Sequence, residues 1–166
     1  MTRRLLPALL AALLLPAAAL AQAQVPFAGL SIDRLAAVEI AAETLDVDQE
    51  AGTALFAGEV VVEQGTLRLA ADRLRVAYGS APDGGRGRIS RLVADGNVTL
   101  TTPQDRAEAA QADYDLDAGV LTLSGGVRLE QGGNLLTSDR LVIDLATGTG
   151  RMDGRVRTIL RPDGTR

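Results

Sequence analysis

Apolar and polar residues alternate along most of the chain from Val38 onward, and breaks that contain glycine interrupt the alternation. Val60, Val62, Leu67 and Leu69 show the two-residue period of strands that bury one face. No segment carries a sustained 3.6-residue apolar stripe, so the pattern does not favour an amphipathic helix. The sequence therefore predicts an all-β protein.

A first half-motif has the form Φ-x-Gly-x-Val-x-Φ, in which Φ is apolar and x is any residue. Its Φ, Gly and Val positions are two residues apart, so they share one face of a strand. A glycine on that face leaves room for a close backbone approach or a bend. The copies occupy 56–62, 94–100, 123–129 and 152–158, the last with Thr158 in its final apolar position.

A second half-motif has the form (Ala/Ser)-x-x-(Leu/Ala)-x-Φ. Ala71 and Leu74 are three residues apart, so the inward face changes parity between them. A bulge or corner at Asp72-Arg73 is the expected cause. The copies occupy 42–47, 71–76, 109–114 and 138–143.

The two half-motifs alternate with constant spacing. Thirteen residues separate Gly58 from Ala71, and the same interval recurs twice more; in three of four cases the next glycine follows after 16 residues, which makes a 29-residue period. The fourth interval holds a nine-residue insertion in 79–87, whose composition predicts a loop. Such units bury their apolar faces only by stacking on one another.

The repeat also predicts turns, one ambiguous strand and two open ends. Segments 46–52, 115–119 and 144–148 suit hairpin turns, and the alanine-rich segment 107–112 is predicted as strand because of its place in the repeat. Val38–Val47 and Arg151–Leu160 are half-units without a neighbour, and unpaired terminal strands favour strand addition by another chain.

The N-terminus has the features of a secretory signal peptide. Arg3 and Arg4 precede the apolar run Leu5–Leu15, and Ala19-Leu20-Ala21 is a small-residue cleavage site, with Ala21-Gln22-Ala23 as a second option. An uncleaved membrane anchor is the alternative. The predicted organisation is a signal peptide at 1–21, a flexible lead-in at 22–37, a β-domain at 38–162 and a tail at 163–166.

Composition narrows the function classes. Without the two signal-peptide arginines, 15 cationic residues face 21 acidic ones, and a net charge of −6 disfavours nucleic acid. Cys and His are absent, which removes the usual zinc sites and the Cys–His and Ser–His nucleophiles. The acidic triplets at 46–50 and 113–117 lack the glycine and glutamate positions of a calcium loop. The sequence predicts no enzyme, no cofactor and no metal site.

One segment carries a family resemblance. It reads Phe56-Ala-Gly-Glu-Val-Val-Val-Glu-Gln-Gly-Thr-Leu-Arg-Leu-Ala-Ala-Asp-Arg-Leu74 and resembles the recurring pattern of the LptA/OstA family of periplasmic lipopolysaccharide-transport proteins. The resemblance implies an antiparallel β-jellyroll, an open twisted trough that carries lipopolysaccharide acyl chains. It implies as partners the periplasmic jellyroll protein of the inner-membrane exporter and the periplasmic domain of the outer-membrane translocon, with possible head-to-tail self-association.

Candidate site residues come from this resemblance and from strand parity. The resemblance assigns Val38 and Ile40 to the trough entrance and Leu100, Tyr114 and Leu116 to interior contacts, although ordinary core packing explains each equally well. Parity alone adds Phe56, Val60, Val62, Leu74, Val76, Val98, Val127, Leu129, Leu141 and Ile143 as lipid-facing residues. The predicted partner edges contain Val38, Ile40, Val47, Arg155, Arg157 and Leu160.

The sequence leaves open the role of two groups of arginines and two alternative functions. Arg151, Arg155, Arg157 and Arg161 either meet lipid phosphates or an acidic partner, or guard a solvated edge strand. Segment 86–91, also arginine-rich, is more simply a solvated loop. The rival functions are a membrane-anchored jellyroll partner in the same pathway and a secreted structural or carbohydrate-binding β-repeat protein, although two Tyr, two Phe and no Trp suit sugar binding poorly.

Overall fold

The structure, a computed structural model, describes residues 23–26, 36–80 and 86–161. These residues form one antiparallel sheet of eleven strands in the order β1-β10-β9-β8-β7-β6-β5-β4-β2, with β3 also on β4 and β11 also on β9. The all-β antiparallel prediction is confirmed, and 107–112 lies within a strand. The strands are β1 Ala23–Pro26, β2 Glu39–Ala41, β3 Thr44–Asp48, β4 Thr53–Gln64, β5 Leu67–Ser80, β6 Arg86–Thr101, β7 Asp105–Asp115, β8 Val120–Gln131, β9 Asn134–Asp144, β10 Thr149–Asp153 and β11 Arg157–Ile159.

A row of β-bulges crosses the sheet, and we call this row the corner. On β4, Gly58 and Glu59 together face the single residue Asp72 of β5, because Ala57 pairs with Arg73 and Val60 with Ala71. Both residues of each bulge have positive φ, as Glu59 (44°) and Gly58 (81°) illustrate. The other bulges are Gly96-Asn97, Gly125-Gly126 and Gly154-Arg155, the last between β10 and β11.

The predicted parity change at Asp72-Arg73 is present, because Ala71 and Leu74 are both buried and the two residues between them are exposed. The extra residue, however, lies on the facing strand β4 rather than on β5. Glycine tolerates the positive φ that such a bulge demands, so the first half-motif accommodates the irregularity.

Close approach explains why the corner needs glycine. A Cβ at Gly125 would stand 2.5 Å from the Cβ of Ala110, and one at Gly154 would stand 2.5 Å from a carboxylate oxygen of Asp139. The Arg155 guanidinium in turn donates to Asp139 at 2.6 Å. Each bulge therefore packs its glycine directly under a side chain of the neighbouring strand.

The corner divides the sheet into two half-sheets that enclose one core, which is the predicted open trough. Leu121, Leu123 and Leu141 of half-sheet A and Val60 and Leu129 of half-sheet B are fully buried and belong to the same core. Half-sheet A comprises β1, β3, β10 and segments 53–57, 73–80, 86–95, 111–115, 120–124 and 140–144; half-sheet B comprises β2, β11 and segments 60–64, 67–71, 98–101, 105–109, 127–131 and 134–138.

In three hairpin turns, an aspartate side chain at an equivalent position accepts hydrogen bonds from the turn backbone. Asp48 accepts a hydrogen bond from the Ala51 amide at 2.9 Å, and Asp115 accepts one from the Ala118 amide at 2.8 Å. Asp144 plays the same part in the third turn. Aspartates that bond the backbone two or three residues ahead stabilise such turns, so the turn predictions are confirmed and the acidic triplets use two of these carboxylates within turns.

The insertion is shorter as a loop than predicted. Gly79 and Ser80 continue β5, and Arg86 and Gly87 already belong to β6. The prediction assigned all of 79–87 to a loop from glycine content alone, but glycine is compatible with a strand where another backbone approaches closely. A Cβ at Gly87 would in fact stand 2.5 Å from the Gly79 carbonyl oxygen. Residues 81–85 lie outside the described part of the chain.

The two ends of the sheet are unequal. Among the strands that the structure describes, β2 and β3 at the N-terminal end each pair with β4 alone. Within the same set, β11 at the C-terminal end pairs with β9 alone, whereas β10 pairs with β9 and also with β1. The sequence predicts an unpaired C-terminal half-unit and a flexible lead-in at 22–37. The strand Ala23–Pro26 differs from the first expectation, because the open backbone groups of β10 offer it a full set of hydrogen-bond partners. Flexibility of the lead-in stays a prediction.

Candidate functional site

The trough interior is apolar and almost completely filled. A cavity of about 30 Å³ lies between the half-sheets, enough for one or two water molecules. Both half-sheets contribute to its wall, half-sheet A through residues such as Ala112 and half-sheet B through residues such as Leu100. The lining residues are Val38, Val62, Gln64, Leu67, Leu69, Leu74, Leu92, Ala94, Leu100, Ala112, Tyr114 and Leu121.

An open groove of about 580 Å³ lies at the edge of this cavity, where the free ends of the half-sheets face each other opposite the corner. We call this opening the mouth. The cavity and the groove share Val38, Gln64 and Tyr114, so the groove gives directly onto the cavity. The outer wall of the groove is polar, with an ion pair between Arg88 and Asp117 at 2.5 Å.

The predicted lipid-facing residues converge. All fifteen belong to the core that the half-sheets enclose or pack against it, and eleven of them are buried. Val38, Ile40, Phe56 and Leu116 are the four partly exposed members, and Val38 and Leu116 line the mouth. Their convergence fits a lipid path and a packed core alike, so lipid contact stays a prediction.

Several interior residues were not among the candidate site residues. Leu92 and Leu121 line the cavity, and Leu123, Leu145 and Met152 are buried in the same core. Strand parity alone could have identified Leu121 and Leu123, because they stand four and two residues before Gly125 on the same face.

Half-sheet B carries polar residues at its free end. Gln64, Thr102 and Asp105 are buried there, and the Thr102 hydroxyl accepts a hydrogen bond from the Asp105 amide at 3.0 Å. Burial raises the pKa of the Asp105 carboxyl, and a hydrogen bond from Gln131 partly offsets the shift. Among the described residues, Oδ2 of Asp105 has no hydrogen-bond partner.

We expect Asp105→Asn to raise the free energy of unfolding at pH 7 by about 1 kcal/mol, because the substitution removes a poorly solvated buried charge. The folded-state pKa of Asp105 lies above its unfolded value, so the charge penalty is complete above the folded pKa and disappears below the unfolded one. The gain should therefore vanish at pH 3. Urea unfolding at both pH values measures this difference.

Asp139→Asn is the matched control, and we expect it to change the free energy of unfolding at pH 7 in the opposite direction. The hydrogen bond from Arg155 lowers the pKa of Asp139, so the stabilisation from this carboxylate is present at neutral pH and is lost as pH falls through the lowered pKa. This variant should be less stable than the parent at pH 7. If Asp105→Asn were less stable than the parent at pH 7, the buried Asp105 carboxylate would not be the destabilising charge that we infer.

The predicted partner edges are only partly exposed. Val47 and Leu160 are 47% and 70% exposed, whereas Val38 and Ile40 pack partly against the core. Among the described residues, three further large apolar side chains are exposed and were not among the candidates: Leu45 (54%), Val156 (41%) and Ile159 (50%). Leu45 lies on β3, and the other two belong to the C-terminal half-unit, so exposed apolar side chains occur at both ends of the trough.

Most arginines of the two groups have carboxylate partners. Arg91 bonds Asp113 at 2.7 Å, and Arg151 bonds Asp153 at 2.9 Å. Hydrogen bonding to Asp113 raises the pKa of Arg91 further. With the Arg88 and Arg155 ion pairs, this pattern favours solvated, charge-paired strands over a free cationic patch. Arg161 lines a separate cavity of about 380 Å³, as do Arg106 and Arg128.

The part of the chain that the structure describes contains no cluster of three acidic side chains suited to a metal ion. Nor do the described residues include a helix long and apolar enough to cross a membrane. The signal-peptide and membrane-anchor expectations concern residues 1–21, which lie outside the described ranges.

Comparison with known proteins connects this trough to one family. Residues 39–149 match the family model described as LptA/(LptD N-terminal domain) LPS transport protein. An uncharacterized protein of Rhizobium meliloti (strain 1021) is 30% identical over 161 residues, which cover 92% of this chain and 87% of that protein.

A solved structure shares the fold. The crystal structure of LptH, the LptA homologous periplasmic component of the conserved lipopolysaccharide transport device from Pseudomonas aeruginosa, aligns with a TM-score of 0.67 at 17% identity. The alignment covers 78% of this chain and 99% of that one.

Proposed function

Because the chain belongs to the LptA/(LptD N-terminal domain) family of LPS transport proteins, we propose that it carries lipopolysaccharide across the periplasm with the acyl chains held between its two half-sheets. The observation that supports this most is the apolar interior that reaches from half-sheet A to half-sheet B and opens at the mouth. Signal-peptide cleavage near Ala21 would deliver the protein to that compartment.

The energetics require a shielded path. Exposing an acyl chain to water costs about 0.8 kcal/mol per CH₂ group, so a twelve-carbon chain costs roughly 10 kcal/mol. The interior is mainly aliphatic, with Tyr114 and a few polar residues in addition, which offers a lipid apolar contact with few directional bonds. Such a surface suits a lipid that slides better than a ligand that is held in one pose.

The interior must open to accept a chain. The cavity of about 30 Å³ is far smaller than an acyl chain. The half-sheets therefore separate at the mouth, where Val38, Gln64 and Tyr114 line both the cavity and the groove. Lipid contacts then replace contacts between the two apolar faces, so separation exposes little apolar surface to water.

The two ends of the trough are the proposed docking edges. One end would meet the periplasmic jellyroll protein of the inner-membrane exporter, and the other would meet the periplasmic domain of the outer-membrane translocon. A second copy of the chain can extend the bridge between them by strand addition. Leu45 and Val47 at the N-terminal end and Leu160 at the C-terminal end are exposed apolar residues that such contacts would bury.

Ala112→Leu tests the proposed path. Ala112 is 1% exposed and lines the cavity, which lacks room for a leucine. We expect the variant to fold with a stability loss of about 1–3 kcal/mol. Because the added side chain occupies the lipid path, we expect it to retain at most about a fifth of the lipopolysaccharide that co-purifies with the parent. Mass spectrometry of extracted lipid, normalised to protein, gives the ratio.

Ala118→Leu in an exposed turn is the control and should retain lipid at the parental ratio. Thermal unfolding checks that both variants are folded. Parental lipid retention by folded Ala112→Leu would count against acyl chains between the half-sheets.

A further inference from the structure

Apart from β1, the strands of the sheet are of two alternating types. Gly-type strands carry a corner bulge, and Ala-type strands carry the second half-motif. Each Gly-type strand pairs with the next Ala-type strand in one fixed register, in which Val60 faces Ala71, Val98 faces Ala109 and Val127 faces Ser138. The Gly-type strands are β4, β6, β8 and the pair β10 and β11; the Ala-type strands are the pair β2 and β3, β5, β7 and β9.

The described strands end on complementary types. Apart from β1, the last strand is the pair β10 and β11, which is Gly-type and lacks the Ala-type strand that follows every other one; the first is the pair β2 and β3, which is Ala-type and lacks a Gly-type predecessor. If the fixed register continues into a second copy, Met152 faces Leu45 of that copy and Gly150 faces its Val47. Arg151 then faces Asp46 of the second copy, a pairing of opposite charges that favours this register.

Strand β1 already occupies these positions. It pairs with β10 so that Ala23 faces Met152, Gln24 faces Arg151 and Val25 faces Gly150. These are the three places that the continued register assigns to Leu45, Asp46 and Val47 of a second copy. Two strands cannot pair with the same edge, so β1 and the incoming strand exclude each other.

We propose that β1 is a removable cap on the C-terminal edge of half-sheet A, which a second copy displaces with its own β3 when the trough is extended. The proposal rests on the end-to-end bridging proposed above. It adds that assembly proceeds by strand exchange, with the capped monomer as the resting form. The cap covers an edge that would otherwise attract extended segments of other proteins.

The C-terminal edge of half-sheet B supplies the starting point. Among the described residues, β11 pairs with β9 alone, and Leu160 beside it is 70% exposed. The continued register sets Ile40 of the second copy opposite Thr158 and its Val38 opposite Leu160. Docking starts here, beside the capped segment, and then advances across the corner to displace β1.

The exchange is balanced in backbone hydrogen bonds, because one strand replaces another on β10. Its driving force is apolar burial, since Leu45 and Val47 of the incoming copy are about half exposed before docking. The incoming β3 has five residues against the four of β1. Displacement therefore favours the longer strand, which also joins the second trough to the first.

A disulfide between β1 and β10 tests the cap. The sequence has no cysteine, so Gln24→Cys with Arg151→Cys introduces a single pair. Directly opposed antiparallel residues have Cα atoms about 4.5–5.5 Å apart, within disulfide range. When oxidised, the exported protein should associate end to end at least about tenfold more weakly than when reduced. Analytical ultracentrifugation of the same sample before and after reduction measures the shift.

Two comparisons complete the design. Thr122→Cys with Val142→Cys joins opposed residues in the middle of the sheet, and its oxidation should leave association unchanged. Deletion of 23–26 should strengthen association relative to the parent, because no cap remains to be displaced.

Failure of the β1–β10 disulfide to form would overturn the proposal, and so would equal association of the oxidised and reduced proteins. Absence of association in every variant, the deletion included, would also overturn it. In that last case, retention of lipopolysaccharide by the parent and its loss in Ala112→Leu would leave the carrier function standing without the cap.

Discussion

Replacement of Gly125 with alanine should lower the free energy of unfolding by about 3 kcal/mol or more, the loss expected from backbone strain combined with steric overlap. Gly125 has a φ of +84°, which L-residues rarely adopt. Its added Cβ would also stand 2.5 Å from the Cβ of Ala110, which is anchored to the backbone of β7 and cannot rotate away. Both penalties fall on the corner, which orients the two half-sheets.

Gly126→Ala separates the two penalties. Gly126 has nearly the same φ, +87°, but an added Cβ would meet nothing within 4 Å. We expect this variant to lose only about 1–2 kcal/mol, the strain of the left-handed region alone. Equal losses in the two variants would show that close packing at the corner contributes nothing. The chain has no tryptophan, so urea unfolding is best followed by far-ultraviolet circular dichroism.

The repeat explains why so much of the fold was predictable. The two-residue period identifies an inward face for each strand, and the three-residue step from Ala71 to Leu74 reveals the bend on β5. The ten residues that parity assigns to the interior consequently lie in or against the core, as do the five that the family resemblance assigns. Parity does not say which of them line the cavity, because that depends on how the half-sheets pack. That Leu92 and Leu121 line the cavity emerged only from the structure.

The pairing of strands that lie far apart in the chain could not be predicted from the sequence pattern. The extra residue of the first bulge lies at Gly58-Glu59 because β4 and β5 align around it, and no composition rule requires a positive φ at Glu59. Strand β1 is four residues long, too short for a periodic signal. It exists because β10, at the other end of the chain, offers an open edge. The buried position of Asp105 likewise depends on tertiary packing around a polar turn.

The second large effect that we expect is a difference in photo-crosslinking to lipid between inward-facing and outward-facing residues of the same strand. Leu100 is 3% exposed and lines the cavity, whereas Thr99 precedes it on the outward face of β6. Tyr114 and Asp113 form a similar inward and outward pair on β7. Neighbouring residues in a strand point to opposite faces, so a photo-crosslinking residue placed at each of the four positions samples the trough and its exterior separately.

The most direct test of lipid carriage is this four-position crosslinking in cells that make lipopolysaccharide, with adducts detected by an antibody against the lipid. Acyl chains between the half-sheets predict adducts at 100 and 114 that exceed those at 99 and 113 by about tenfold, because only the inward side chains reach the lipid path. Equal adducts on both faces, or none at positions 100 and 114, would contradict the proposed trough.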